Sequence, residues 1–444
     1  MQIEIETVQN SDTFPKQVDV VVIGAGIVGT CTAYELARKG VSVALFEKGV
    51  VSGEQSGRNW GWVRQQNRDL HELPLAMFSL RRWDELGAEV GSDLGFRKTG
   101  ILYATDNPED LSRWEAWGRS ARELGFLSEI QSAEQIRART ANSSARWSGG
   151  VWSPSDGRAE PSKATPAIAE GAKRLGVSLH QNCAVRGLDI HNKRVAGVWT
   201  ERGLVRTDRV VLAGGAWNSR FCRRHGIELP IANVGGTALR TTAAPQVVEA
   251  GCLSTPGYAL RRRIDGSYTV AVPGQGILNI APQGIKYAAK FHQLFRSKVS
   301  KKIKYRLNGF FLNGPEAFGS WDFDQASPFE KIRILEQAPD PELLSLAICR
   351  LVSDYPMLAG IQVARAWGGM IDTAPDMVPV ISKIPDLEGA VVSSGFSGHG
   401  FALGPGAGRL TSELAMDETP FVDIEPYRLE RFSSGAKIRR PEMM

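Results

Sequence analysis

The run of β-branched residues at 18–24 opens directly into Gly24-Ala25-Gly26-Ile27-Val28-Gly29, and the following segment, 27–39, places Ala, Tyr and Leu on one helical face. A second β-branched run at 41–47 ends on Glu47. Strand, glycine turn, helix and strand in this order make a βαβ unit, and no other stretch restricts the fold as strongly. Gly24 permits the tight turn, Gly26 lets a pyrophosphate approach the amides at the helix N-terminus, and Gly29 lets helix and strand pack closely. Glu47, eighteen residues beyond Gly29, accepts hydrogen bonds from a ribose diol and argues against a 2′-phosphate. The spacing predicts a Rossmann-like α/β core that holds a dinucleotide of the FAD or NAD kind.

A chain of 444 residues is too long for one compact core, so two lobes with a cleft between them are expected. Its 42% apolar and 23% charged residues are those of an ordinary globular enzyme, which argues against disorder. The net charge of +5, from 53 basic and 48 acidic side chains, is too small to mark a nucleic-acid binder. The five cysteines, at 31, 183, 222, 252 and 349, form no CxxC pair, so neither a metal site nor a disulfide framework is expected. Apolar runs fall short of the roughly 18 residues of a membrane span. The acidic, polar start MQIEIETVQNSD is unlike a secretory signal, and a cytoplasmic location is expected, with peripheral attachment to the inner membrane through the basic segment described below as the alternative.

After the βαβ unit, GEQSGRNWGWVRQQNRD has neither helical nor strand periodicity and reads as an ordered loop up to about Leu73. Helices are expected at about 74–89, 107–124 and 131–139, a hairpin at 194–199 and 204–207, and a buried strand from Arg209 into a Gly-Gly turn. Residues 236–282 alternate like an antiparallel sheet, with a hairpin closed at Asp265-Gly266. The composition turns helical and basic over 284–349, and the C-terminal part returns to a strand, a glycine turn and a helix after Pro405. This predicts a discontinuous dinucleotide-binding domain, 1–90, 150–235 and 360–444. An α+β substrate domain with an antiparallel sheet is expected from 91–149 and 236–359, the latter carrying the helical insertion.

Three segments together resemble the D-amino acid oxidase superfamily of flavoproteins: the βαβ unit with Glu47, the Arg209–Trp217 strand with its Ala213-Gly214-Gly215 turn, and Gly395-Phe-Ser-Gly398-His399-Gly400-Phe401. The resemblance implies the glutathione-reductase type of nucleotide-binding fold and FAD as the cofactor. It implies that Lys48, Gln55, Ser56, Arg58, Asn59 and Trp60 follow the flavin, with Gly57 and Gly61 allowing close approach. Val185 takes the place of an adenine-contacting strand, Trp217 follows the second turn, and Gly398, His399 and Gly400 bring backbone amides to the flavin ring. Gly369 stands where sarcosine-oxidase-type members carry a flavin-linking cysteine, so the resemblance implies non-covalent FAD.

Within the superfamily, GEQS, AVRGL, LAGGAWNSRF and DQASPFEKIR resemble the bacterial L-amino acid deaminases, with opine, hydroxyproline and D-amino acid dehydrogenases more distant. This implies oxidative deamination of an amino acid, favoured as the L form, by hydride transfer from Cα to the flavin, with O2 or a membrane or protein electron carrier as acceptor. No side-chain base is required, and His399 is expected to act through its backbone. The arginine that those deaminases use for the substrate carboxylate is replaced by Gln275 in VPGQGILN. Because a buried carboxylate needs a partner, the candidates are Arg64 in the loop and Arg261 beside Tyr258 on the sheet. Trp60, Trp62 and Trp367 are candidates for an apolar pocket wall. The basic and aromatic stretch 286–311 is either a helix over the cleft or a docking surface for a membrane or partner.

Overall fold

The computed structural model describes residues 4–140, 143–296, 302–433 and 437–441. The strand Val20–Ile23 sits inside a six-stranded sheet in the order Val380–Lys383, Ala390–Ser394, Arg209–Leu212, Val20–Ile23, Val43–Phe46, Ser178–His180. Neighbours run parallel except the edge strand Val380–Lys383, which is antiparallel to Ala390–Ser394. Val20, Val21 and Val22 are fully buried, as the interior of a parallel sheet covered on both faces requires. The chain passes from Val20–Ile23 to Val43–Phe46 on one side, and Arg209–Leu212 occupies the other. The C-terminal ends of these strands therefore form a topological switch point, where open α/β sheets bind ligands.

The helix Ile27–Arg38 runs from the glycine turn, and the helix Gly400–Ala415 packs directly on it. A Cβ added at Gly404 would lie 2.4 Å from Ile27 Cγ1, and one at Gly408 would lie 2.4 Å from Cys31 Cβ, so only glycine lets the two backbones approach this closely. The expectation that this last helix follows Pro405 is corrected: it begins at Gly400, with Pro405 inside it. Proline removes one ladder hydrogen bond and crowds the preceding turn. Ser79, on the helix Leu73–Glu89, spans the disturbed turn by donating to the Ala402 carbonyl (2.7 Å) and accepting from the Gly406 amide (3.1 Å).

The second large sheet has ten strands among the described residues. Its centre is Ala232–Thr241, which pairs antiparallel with Val363–Thr373 along its length and with Gly276–Asn279 and Tyr268–Ala271 at its two ends. The hairpin predicted at Asp265-Gly266 joins Ala259–Arg262 to Tyr268–Ala271. Two strands lie in this sheet although the sequence reading placed 150–153 of the first, Gly149–Ser153, and all of the second, Val363–Thr373, in the nucleotide-binding half. The predicted hairpin Arg194–Thr200 and Gly203–Arg206 is joined by Val185–His191 in a separate three-stranded sheet.

The stretch 286–311 is not one amphipathic helix. Short helical pieces, Pro282–Tyr287, Ala288–Phe291 and His292–Phe295, precede the strand Ile303–Arg306, which adds in parallel to Gly276–Asn279. Residues 297–301, which carry Lys298 and Lys301 of the proposed docking surface, lie outside the described residues. Phe291 is buried against Ala232 and Tyr287 rather than presented outward. The thiols at 31, 183, 222 and 252 are buried, Cys349 is exposed, and all five are free. No helix among the described residues is long and apolar enough to cross a membrane.

One buried carboxyl, Glu316, has no cation bonded to it among the described residues and accepts a single hydrogen bond from them, from the Asn233 amide at 3.2 Å. Burial pushes it from 4.5 to about 8, against the pull of that amide and of Arg223. The folded chain thus keeps a proton that the unfolded chain releases across this window, so stability falls as pH rises through it, by at most about 1.4 kcal/mol per pH unit. Glu316→Gln keeps an uncharged acceptor at the same place. Its urea midpoint is expected to decline less than the parent's between mildly acidic and mildly alkaline pH, and an unchanged slope would remove Glu316 as the cause.

Candidate active site

A cavity of about 670 Å³ opens where the strands Val20–Ile23, Val43–Phe46 and Arg209–Leu212 end. Gly24 has φ +103°, and a Cβ there would lie 2.5 Å from the Ala213 carbonyl, so the turn and the second glycine turn meet through bare backbone. Gly29 packs behind it, where a Cβ would lie 2.0 Å from the Gly24 carbonyl. Gly26, Ile27 and Val28 line the cavity at the helix N-terminus, whose first amides have no intrahelical acceptor. Ser56 Oγ accepts from the Ile27 amide at 2.8 Å and so ties the following loop to that terminus. The Glu47 carboxylate accepts from the amides of Ala25 and Gly49, each at 2.8 Å, which fixes it at the cavity edge.

The segment read as a loop without periodicity contains the helical turn Gln55–Arg58 and the short strand Trp62–Val63, which pairs with Gly157–Arg158. Arg58 is buried, and its three guanidinium nitrogens donate to the Gly53 carbonyl, the Gly368 carbonyl and Glu336. Trp367 Nε1 donates to the Arg58 carbonyl at 2.8 Å. Arg58 therefore locks the loop to the strand Val363–Thr373. Lys48 is engaged similarly, by Glu54 and the carbonyls of Ile332 and Arg333, and Trp217 Nε1 donates to the same Glu54. Asn59 closes its own turn through Ser56 and Gly61. Val185, Ala213, Gly214 and Gly369 also line the cavity, whereas Ala25, Gly29, Gly61 and Gly395 support it from behind.

On the far side, Gly395, Ser397 and Gly398 take positive φ in succession before the helix Gly400–Ala415. Asp372, which sequence reasoning missed, accepts from the Gly395 amide (2.6 Å) and Ser394 Oγ (3.1 Å) and so shapes this turn. Burial pushes its carboxyl up to about 6, opposed by those hydrogen bonds. An acid within the otherwise uncharged run WGGMIDTAP was the available signal. His399 places its ring, not only its backbone, in the site: Nδ1 lies 3.1 Å from Glu72, whose side chain is fully buried. Burial and the nearby Arg68 push the imidazole down to about 4, so near neutral pH it is uncharged and donates to the Glu72 carboxylate.

Trp60, Trp62 and Trp367 all line the cavity, as does Arg64, whose Nη1 donates to the Gln66 carbonyl at 2.6 Å. Two candidates are corrected. Arg261 is fully buried away from the cavity, donating to the Ala159 carbonyl (3.0 Å) and to Glu160 (2.8 Å), and it lies under Gly61, where a Cβ would come 2.7 Å from its Nε. Tyr258 is fully buried and donates to Asp354 at 3.0 Å. Both are structural: Glu160 meets the Arg261 charge and Asp354 takes the Tyr258 hydroxyl, away from the cavity, although Arg261 Nε has no partner among the described residues. Arg68, Glu72 and Tyr103 line the cavity and were not anticipated. Arg68 follows Arg64 in the same loop, and that repetition of arginine was the only sequence signal.

A family model described as FAD dependent oxidoreductase, DAO, matches residues 19–414. The sarcosine oxidase subunit beta of an Arthrobacter species is 26% identical, over 95% of this chain and 92% of that protein. The glycine oxidase of Pseudomonas aeruginosa is 25% identical, over 92% of this chain and 97% of its own. Among solved structures, the L-amino acid deaminase of Proteus myxofaciens, in complex with anthranilate, superposes with a TM-score of 0.93 at 29% identity, covering 98% of both chains. The L-proline dehydrogenase of P. horikoshii, at 24% identity and a TM-score of 0.77, shares the fold. With the family model matched across nearly the whole sequence, the chain belongs to the DAO family of FAD-dependent oxidoreductases.

Proposed function

We propose that the chain oxidatively deaminates a free L-amino acid, giving the 2-keto acid and ammonia. The observation that carries this reading is that one cavity joins the dinucleotide cradle to a space walled by Trp60, Trp62 and Trp367 and bearing a guanidinium from Arg64. The cradle suits FAD: side chains are absent at Gly24 and Gly26 where a pyrophosphate must approach, and Glu47 is positioned for a ribose diol. Bound FAD supplies a two-electron acceptor for the hydride on the substrate Cα. The first-turn amides of Ile27–Arg38 would hold the pyrophosphate, and Arg58 and Asn59 would keep the intervening loop in place. The tryptophans exclude water from the face where the amino acid lies and accept an apolar side chain.

The L configuration follows the likeness to the Proteus deaminase. The likeness to the Arthrobacter sarcosine oxidase subunit favours a second reading, an N-methylated amino acid, which the same cavity admits. Anaerobic mixing of the FAD-loaded protein with L-amino acids, D-amino acids and sarcosine separates them. Large apolar L-amino acids are expected to bleach the flavin; bleaching by sarcosine alone favours the second reading, and silence toward the whole panel removes both.

Cofactor retention gives an independent check. Gly24→Ala forces a side chain into the Ala213 carbonyl at a positive φ, so the purified variant should carry no flavin colour. Glu47→Gln should weaken FAD binding about 10- to 100-fold while far-ultraviolet circular dichroism stays unchanged. Acid precipitation of the parent protein should leave FAD in the supernatant, since Gly369 offers no thiol for a covalent link; flavin remaining in the pellet would contradict this.

A further inference from the structure

Arg68 is 2% exposed and lines the cavity, yet its Nη1 has no hydrogen-bond partner among the described residues. Its Nε reaches only the Arg64 carbonyl, at 3.4 Å. Tyr103 lines the same cavity, is 9% exposed, and its hydroxyl likewise has no partner. Buried donors left unsatisfied are costly, and a guanidinium without an anion is the costliest of them. The nearby carboxylates do not fill the gap. Glu72 is taken by His399, Asp69 pairs with Arg439 at 2.7 Å, and Asp156 accepts from the amides of Gln65 and Gln66.

Both groups are held rigidly. The turn that carries Arg68 is closed by its amide on the Gln65 carbonyl at 3.1 Å, with Asn67 at φ +59°, and Trp117 Nε1 donates to the Arg68 carbonyl at 2.7 Å. Tyr103 is set between Trp62 and Trp114, whose ring centroids lie 6.1 and 5.9 Å away. Burial pushes the Tyr103 phenol up, so it stays a donor at neutral pH. Arg68 is pushed down to about 9 by burial and by the like charge of Arg64, which still leaves it protonated there. A protonated phenol and a guanidinium edge are complementary to the two oxygens of one carboxylate.

We propose that Arg68 and Tyr103 together seat the carboxylate of the substrate, with Arg64 adding charge. The assignment rests on the amino-acid reading above and moves the anchor from the antiparallel sheet, where Gln275 stands, to the loop that follows the dinucleotide cradle. It also orients the substrate, because the wall that holds its carboxylate is continuous with Trp62.

The test uses the FAD-loaded protein with benzoate as a carboxylate probe, measured by calorimetry and by perturbation of the flavin spectrum. Arg68→Met is expected to weaken benzoate about 10- to 100-fold and to raise KM for the amino acid by a similar factor, with kcat changed less. Tyr103→Phe removes a single hydroxyl without altering packing and should weaken benzoate about 10-fold; it serves also if Arg68→Met does not fold. Arg68→Lys should restore part of the affinity. Benzoate bound by both deletion variants as tightly as by the parent overturns the anchor and leaves the amino-acid reading intact. Parent protein that ignores amino acids but binds benzoate in an Arg68-dependent way overturns the amino-acid reading and retains the anion seat.

Discussion

The packing of three helices around the cavity depends on the places where the helix Gly400–Ala415 is bare of side chains. Gly404 and Gly408 admit the helix that starts at the dinucleotide turn, and Gly406 admits Leu75 and Ser79 of the helix Leu73–Glu89. Each glycine inside a helix costs about 1 kcal/mol relative to alanine, and close packing with the two neighbouring helices offsets it. The result is functional as well as structural. The N-terminal ends of all three helices reach one cavity, through Ile27, Glu72 and Gly400. Each end presents the positive pole of its helix dipole, although at the Leu73–Glu89 helix the amides of Glu72 and Leu73 are taken by the Asp69 carbonyl and Pro74 has none. A cavity with three such ends favours anions before any charged side chain is counted.

Ser79 shows how that packing tolerates a proline. Its hydroxyl takes both the carbonyl and the amide left apart near Pro405, and Trp83 Nε1 adds a second donor to the same Ala402 carbonyl at 3.0 Å. The helix therefore continues toward its N-terminus past the proline, and Gly400 reaches the cavity. A helix that began after Pro405 would end short of the site, and the turn Gly398-His399-Gly400 would have no dipole behind it.

The βαβ core was legible because everything that defines it is local: a β-branched run, glycines at fixed offsets and an acid at the end of the next strand. The observed strands Val20–Ile23 and Val43–Phe46 fall inside the expected runs, and Glu47 points into the cavity edge as its position implied. The hairpin at Asp265-Gly266 was legible for the same reason. Where the sequence reading failed, the cause was a partner far along the chain. The strand Ile303–Arg306 exists because Gly276–Asn279 offers it an edge, although its own residues suit a basic helix. His399 contributes its ring because Glu72, more than three hundred residues earlier, receives its Nδ1–H.

Arg68 and Arg261 make the point sharpest, since residue type and general burial do not distinguish them. Arg261 lies beneath Gly61 with the Glu160 carboxylate at 2.8 Å, and Glu160 is itself held below the usual carboxylate range, because Arg261 and Arg263 outweigh the effect of burial. That guanidinium is neutralised within the fold and braces the loop from behind. Arg68 occupies the cavity side of the same loop region, where the carboxylates nearby are already committed. A buried guanidinium with its own carboxylate stabilises what the chain has already built. One without a hydrogen-bonded carboxylate, facing a cavity, keeps an open donor edge that a ligand can fill. The division between scaffold and binding site in this protein is thus drawn by the placement of acids, and sequence spacing carries almost no information about which arginine each acid will meet.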